Sequence, residues 1–397
     1  MTMGKEKREN FALFLGTFIY ISYLCSTKSI KEIACEKRSK AQNSSPVMVV
    51  PNRNPVVSMA KGMAIILVVV GHSLPLENWA RNYIYMFHVP LFFYVSGYCF
   101  KEKYLNDALT FVKRRLRGLW WPFVKYGIPM VLLHNVLCAI HVYGPLCDVV
   151  PYTLPQMGVA VLKQFAMSGA EPLLGAYWFL NTLFGASLLF YGCRRLAGSK
   201  WAVAILLTGS VACLLLVPYT GGLRIVFRMF LAGTYMALGH LFAGMESQED
   251  RFMILTRIKR PIPVILLAAL VAVGEWMLPH EMTDATLPTL LPCILTALAG
   301  IWMLWGVCQW LLAAGSRLMV RLSHVLDFIG NHTLTILTWH FLCFKVVTLL
   351  IILLYGLPMD QLEVLPIIEE QAAQGWWMVY ALAGVCVVFL KKQKQER

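Results

Sequence analysis

At 397 residues the chain is long enough for two or three soluble domains, but 58% hydrophobic residues, 14% charged residues and a mean hydropathy of +0.63 exclude that reading, because soluble domains run at about 25% charged residues. The closest pair among eleven cysteines, Cys138 and Cys147, is nine residues apart, so no CxxC or Cys/His cluster offers zinc or redox chemistry. A net charge of +14 would suit nucleic acid, but its distribution along the chain argues for a membrane instead.

Residues 1–56 form an N-terminal extension of doubtful structure. A basic start (Lys5, Lys7, Arg8) leads into an apolar run at 11–25 that is short for a span and has no clear cleavage site, and 26–56 is polar and Lys-rich. An extra helix, an uncleaved signal-like segment, or a translation start placed too early (Met48, Met59) all fit.

From residue 57 onward ten apolar stretches follow: 57–76, 83–100, 120–143, 176–193, 201–217, 223–243, 261–278, 288–314, 328–355 and 376–390. Most are near the ~20 residues an α-helix needs to cross hydrocarbon. Lipid gives no hydrogen bonds to bare backbone, so runs of this length must be helices. The connecting segments alternate in charge. One set carries nineteen basic residues, among them Lys103, Arg114, Arg117, Arg194, Lys200, Arg260, Arg317 and Arg397, and the other carries Arg81 and Lys163. Basic loops stay in the cytoplasm. The expected fold class is therefore all-α: a polytopic membrane protein with ten transmembrane helices in a bundle (57–390), both ends cytoplasmic, and a basic cytoplasmic tail at 391–397.

Ionisable side chains inside such helices are costly and usually functional. On the first stretch Lys61 and His72 are eleven residues apart, which places them on one helical face about 16 Å apart along the axis. His88, on the returning second stretch, lies at the same depth as His72, and the two could line one cavity or simply bond neighbouring helices. Arg114 and Arg117, three apart in Lys113-Arg-Arg-Leu-Arg117, can offer two guanidinium forks on one face to phosphate oxygens, or merely orient the chain. Tyr177 and Trp178 open the fourth stretch as an interfacial belt or a sugar-stacking surface. Arg228 lies four residues after Arg224 at the outer start of the sixth, where it either snorkels or holds an anionic group. Asn331 and His340 lie in the ninth, as helix-packing or site residues. No P-loop, GxSxG, HExxH or EF-hand pattern occurs, which argues against primary pumps and soluble-type hydrolases.

Lys61-x10-His72, Phe87-His-Val-Pro-Leu-Phe-Phe-Tyr-Val-Ser-Gly97, Arg114-x-x-Arg117 followed by Pro122, Tyr177-Trp-Phe-Leu and Gly330-Asn-His-Thr-Leu-Thr-Ile on to His340 together resemble the bacterial acyltransferase family 3 membrane proteins, most nearly their fucose 4-O-acetylase-like branch. The resemblance runs from about 57 to 390. It implies O-acylation, usually acetylation, of a sugar hydroxyl on a surface or secreted glycan at the bacterial cytoplasmic membrane. Acetyl-CoA would be the cytoplasmic co-substrate, with no bound cofactor, no metal and no nucleic acid partner. It implies that the basic-x10-His motif of Lys61 and His72 carries the catalytic histidine and that Arg114 and Arg117 bind the donor; acceptor binding by His88, Tyr177 and Trp178, with Asn331, His340 and Arg228 as further possibilities, is the reading of the residues themselves. Lys61 stands where the family often has Arg, Ser58, Met59 or Ala60 stands where it commonly has an acidic residue, and no esterase-like domain is fused. Imidazole chemistry agrees, since a sugar hydroxyl needs a base near neutral pH; direct transfer with His72 as base and a ping-pong route through an acetyl-histidine both fit the sequence. The alternative is a secondary transporter or flippase using His72, His88 and His340 as a proton or substrate path.

Overall fold

The structure, a computed structural model, describes residues 54–217, 222–246, 261–277 and 281–395. The apolar run at 11–25, most of the polar tract after it and the basic residues of 251–260 lie outside these. Among the described residues the chain is all-helical, with no strand. Contacts divide it into a large unit, Pro55–Thr348 with Asp360–Arg397, and a small one that includes Leu349–Met359. The candidate site lies wholly within the large unit.

Each of the ten apolar stretches is helical for most of its length, but seven helical segments among the described residues are long and apolar enough to cross a bilayer. The difference from ten has local causes. The second stretch is broken into α2 (Trp79–Tyr85) and α3 (His88–Tyr98). Pro90 has no N–H and is best accommodated in a first turn, which is where it lies in α3, starting at His88, and not in a continuation of α2. The His88 ring then donates from Nδ1 to the Ile84 carbonyl at 2.7 Å. The fourth and fifth stretches follow one another without a loop in Trp178–Leu216 (α7) and are counted there as one segment, but Gly198, at φ 82° and ψ 176°, is not helical and divides α7 into two helical pieces, a backbone that suits glycine. The seventh, α9 (Pro261–Met277), has only 17 residues.

The remaining helices are α1 (Pro55–Ser73), α4 (Ala108–Arg115), α5 (Trp121–Ala139), α6 (Leu154–Phe165), α8 (Leu223–Glu246), α10 (Leu290–Ala313), α11 (Arg317–Asn331), α12 (Thr333–Tyr355) and α13 (Trp377–Gln395). A wide π turn, Leu116–Trp120, joins α4 to α5. The ninth stretch begins on the amphipathic α11 and continues into α12 after a break at His332. The residues after 390 continue the last helix to Gln395.

Two contacts position the site. Gly62 of α1 lies against the Leu326 carbonyl, and Gly330 against the Ser58 carbonyl. Neither position has room for a Cβ, so α1 and α11 cross backbone to backbone. Between α5 and α7 the chain does not make a simple loop but folds back along α5. Asn135 and Tyr152 exchange two hydrogen bonds of 2.8 and 2.7 Å, and Trp120 Nε1 donates to the Phe165 carbonyl at 2.8 Å. Fifteen residues of helix separate these anchors, about 22 Å of axis. Phe123 consequently packs against Tyr177, with ring centroids 5.5 Å apart, and α7 starts beside the first turn of α5 rather than its last.

Candidate functional site

A cavity of about 930 Å³ runs through the large unit. At one end it meets Lys61 of α1, Cys99 after α3, and Gly118 and Leu119 of the π turn. At the other it meets Arg81 of α2, Arg224 and Arg228 of α8, and Glu281 and Asp284 from the segment before α10. His72, His88 and Tyr85 line it in between. Polar groups at both ends and apolar walls between them, from Ile65, Val68, Phe92, Phe179 and Leu337, suit a ligand with a thin uncharged middle.

Five of the residues expected from the sequence share this cavity: Lys61, His72, His88, Trp178 and Arg228. His72 is half-buried, and its Nδ1 is 3.1 Å from the Tyr85 hydroxyl. The imidazole of His340 stacks beside it, with centroids 5.6 Å apart and planes at 28°. His340 itself is fully buried behind His72. Its Nδ1 donates to the Ile336 and Leu337 carbonyls at 3.0 Å each, and its Nε2 has no partner among the described residues.

The others are placed elsewhere. Tyr177 is fully buried and bonds Thr338 Oγ1 at 2.8 Å, while its neighbour Trp178 faces the cavity. Asn331 donates to the Asp327 carbonyl at 2.8 Å and to Asp327 Oδ2 at 3.2 Å. Arg114 and Arg117 are both exposed. The π turn separates them, with Arg114 5.6 Å from the Tyr104 ring and Arg117 next to Gly118 at the cavity edge.

Arg81, Tyr85, Glu281 and Asp284 are site residues with no counterpart in the reading of the sequence, whereas Arg224 and Arg228 are expected there as a pair. Arg81 lays its guanidinium 4.3 Å above the Tyr85 ring. Arg81, Tyr85 and His88 fall at spacings of four and three, a helical stripe that the break at Met86–Phe87 disguises. Glu281 and Asp284 face the same end of the cavity. Burial, reinforced by Asp284 and opposed by Arg81, holds the Glu281 carboxyl above the usual carboxylate range. Arg224 donates to the Ala285 carbonyl at 2.9 Å, and the buried Nε of Arg228 has no partner among the described residues although its guanidinium lies 5.6 Å from the Trp178 ring. Ser58, at the foot of α1, donates to Asp327 Oδ1. The acidic group missing from the segment before Lys61 therefore reaches that turn from α11.

A family model described as an acyltransferase domain matches residues 55–391. The chain is 29% identical over 215 residues to "Nodulation protein NolL" of Sinorhizobium fredii (strain NBRC 101917 / NGR234), a match covering 51% of this chain and 52% of that protein. The chain thus spans about half the length of that curated relative. No solved structure matches.

Proposed function

The chain belongs to the acyltransferase family whose model spans residues 55–391, and from that premise we propose that it transfers an acetyl group from cytoplasmic acetyl-CoA to a sugar hydroxyl of a surface or secreted glycan, with His72 as general base. In this reading it is a ten-span protein of the bacterial cytoplasmic membrane with both ends of the helical unit in the cytoplasm. The family assignment favours transfer chemistry over the transporter alternative.

The observation that carries the reading is the single cavity that joins the Lys61–Gly118 end to the Arg81–Arg228 end, with His72 between them. Donor phosphates would meet Arg117 and Arg114 at the edge beside Gly118, and the long, uncharged pantetheine arm would follow the apolar walls. The acceptor would enter at the other end, where Arg228, Asp284 and the face of Trp178 offer donors, acceptors and a stacking surface. In the transfer step His72 takes the proton of the acceptor hydroxyl, the oxygen attacks the thioester carbonyl carbon, and the C–S bond breaks. The CoA sulfur then leaves with that proton. A positioned base of this kind is worth typically 10²–10⁴-fold in rate.

Mass spectrometry of surface and secreted glycans from strains with and without the gene tests the assignment. An acetyl ester lost with the gene supports it, and unchanged glycans together with no CoA release from acetyl-CoA by purified protein would refute it. Single cysteines placed at Lys103, Lys200 and Glu369 test the orientation: the first two should label only from the cytoplasm and the third only from outside.

A further inference from the structure

Gly71 lines the cavity beside His72, but the place its Cβ would take is occupied. A Cβ there would stand 2.7 Å from Cε2 of Tyr85 and 3.7 Å from Cγ2 of Ile84, so what the glycine accommodates is the Tyr85 ring. That ring is held from three sides. It meets His72 edge-on with centroids 6.0 Å apart at 85°, meets His88 at 4.9 Å and 67°, and carries the Arg81 guanidinium on its face. A side chain so confined keeps one rotamer, and here it aims its hydroxyl at His72 Nδ1, 3.1 Å away.

A neutral imidazole has one ring proton, and its position decides whether His72 can act as a base toward the cavity. With the proton on Nε2, Nδ1 accepts from Tyr85 and no lone pair is left for a hydroxyl. With the proton on Nδ1, it is donated to the Tyr85 oxygen and Nε2 presents its lone pair. Free histidine in water prefers the Nε2–H form, so a base acting through Nε2 needs a fixed acceptor beside Nδ1. The neighbouring imidazole does not fill that place: with its Nδ1–H given to two carbonyls, His340 keeps an acceptor at Nε2, but no hydrogen bond reaches that nitrogen among the described residues.

We propose that Tyr85 is the positioning residue for His72: its oxygen accepts the Nδ1–H and holds the imidazole with the Nε2 lone pair toward the acceptor hydroxyl. This rests on the reading of His72 as the base. When the hydroxyl proton passes to Nε2, the Nδ1–H···O bond becomes a bond from a charged donor and strengthens, so it stabilises the transition state more than the resting enzyme. Tyr85 fills the place that a carboxylate takes in the serine-hydrolase triad, with a neutral and therefore weaker acceptor.

The test uses full-length protein in liposomes, following CoA release from acetyl-CoA with whichever soluble methyl glycoside supports release best. Tyr85→Phe keeps the ring beside Gly71 and Arg81 and removes only the oxygen. The expected result is a kcat about 10- to 100-fold lower, the loss for a hydrogen bond to a charged group, with the KM of each substrate within about twofold. In protein labelled with ¹⁵N-histidine, the His72 signals should shift from the Nδ1–H to the Nε2–H pattern in Tyr85→Phe. Gly71→Ala, which displaces the ring, should reproduce the kcat loss. A Tyr85→Phe kcat within twofold of wild type, or an unchanged His72 tautomer, overturns the proposal. His72→Ala separates the two readings. If it is inactive while Tyr85→Phe is unaffected, the base stands and only the role of Tyr85 falls; if His72→Ala retains turnover, the base reading itself is lost.

Discussion

Two histidines in this molecule contrast in how their ring nitrogens are used. His134, on α5, is 2% exposed, with Nδ1 2.7 Å from Glu171 Oε2 and Nε2 3.0 Å from the Val150 carbonyl. Its ring lies 3.6 Å from that of Tyr152, nearly parallel at 11°. Both nitrogens and one ring face are committed, and together they pin the fold-back to α5. His72 commits Nδ1 to one hydroxyl and borders a cavity large enough for substrates. Burial alone therefore does not separate the two; under the proposed function the difference is that His72 lies on the cavity wall.

The sharpest way to break this comparison is to remove each ring in turn. His72→Ala should lower acyl transfer by 10² to 10⁴-fold or more, while the protein still inserts and accumulates; turnover is read with purified protein at matched concentration. His72→Gln keeping more than a tenth of wild-type turnover would take the base role from it. His134→Ala should do the reverse. Glu171 would keep only the longer bond from the Tyr152 hydroxyl at 3.3 Å, a loss on the order of 1.5–3 kcal/mol for a hydrogen bond to a charged group, seen as a lower thermal midpoint in detergent. The kcat of the molecules that remain folded should change less than threefold. A His134 variant that was stable but inactive would erase the distinction.

Smaller effects sharpen it. Arg114→Ala and Arg117→Ala should each raise the KM for acetyl-CoA about tenfold, the ~1.4 kcal/mol of a lost charge-assisted phosphate contact, with the acceptor KM unchanged. Equal rises in both would argue against a donor held at the Gly118 end.

The smallest effect concerns a third histidine, His141, whose Nδ1 lies 2.9 Å from Glu363 Oε1 but whose side chain is 57% exposed. The bond from His141, joined by the Leu146 N–H, holds the Glu363 carboxyl below its usual range. A carboxylate with a depressed value stabilises the fold above the ordinary ~4.3 and loses that contribution as pH falls through its own lower value. Thermal midpoints should accordingly drop more between pH 5 and pH 3 in the wild type than in Glu363→Gln. Equal slopes would mean the contact contributes nothing to the fold.

Much of the architecture is legible in the sequence, because apolar runs of span length can only be helices where no water serves the backbone. The breaks are less legible. Pro90 and Gly198 are visible as residues, but whether a proline or glycine divides a span depends on which carbonyls find other donors, as Ile84 does from His88. The fold-back after α5 was hidden for a related reason. Its anchors, Trp120 with Phe165 and Asn135 with Tyr152, join residues 45 and 17 positions apart through side-chain hydrogen bonds to backbone that have no periodicity.

Within the site, the order of residues by itself determined that Lys61 and His72 share a face, since eleven residues close nearly whole turns of a regular helix. It also determined that basic residues gather between alternate spans. Tertiary packing decided the rest. Tyr177 and Trp178 are neighbours in sequence, yet one is locked against Thr338 and the other faces the cavity, because adjacent residues at a helix start point in directions about 100° apart. Tyr85 occupies the place where a Cβ on Gly71 would stand, a contact made only when the chain returns on the next helix. Arg81, Arg228, Glu281 and Asp284 come from three separate segments and meet only at the mouth of the cavity. A constellation of that kind has no spacing to read, since its members are brought together by helix packing and not by the period of any one helix.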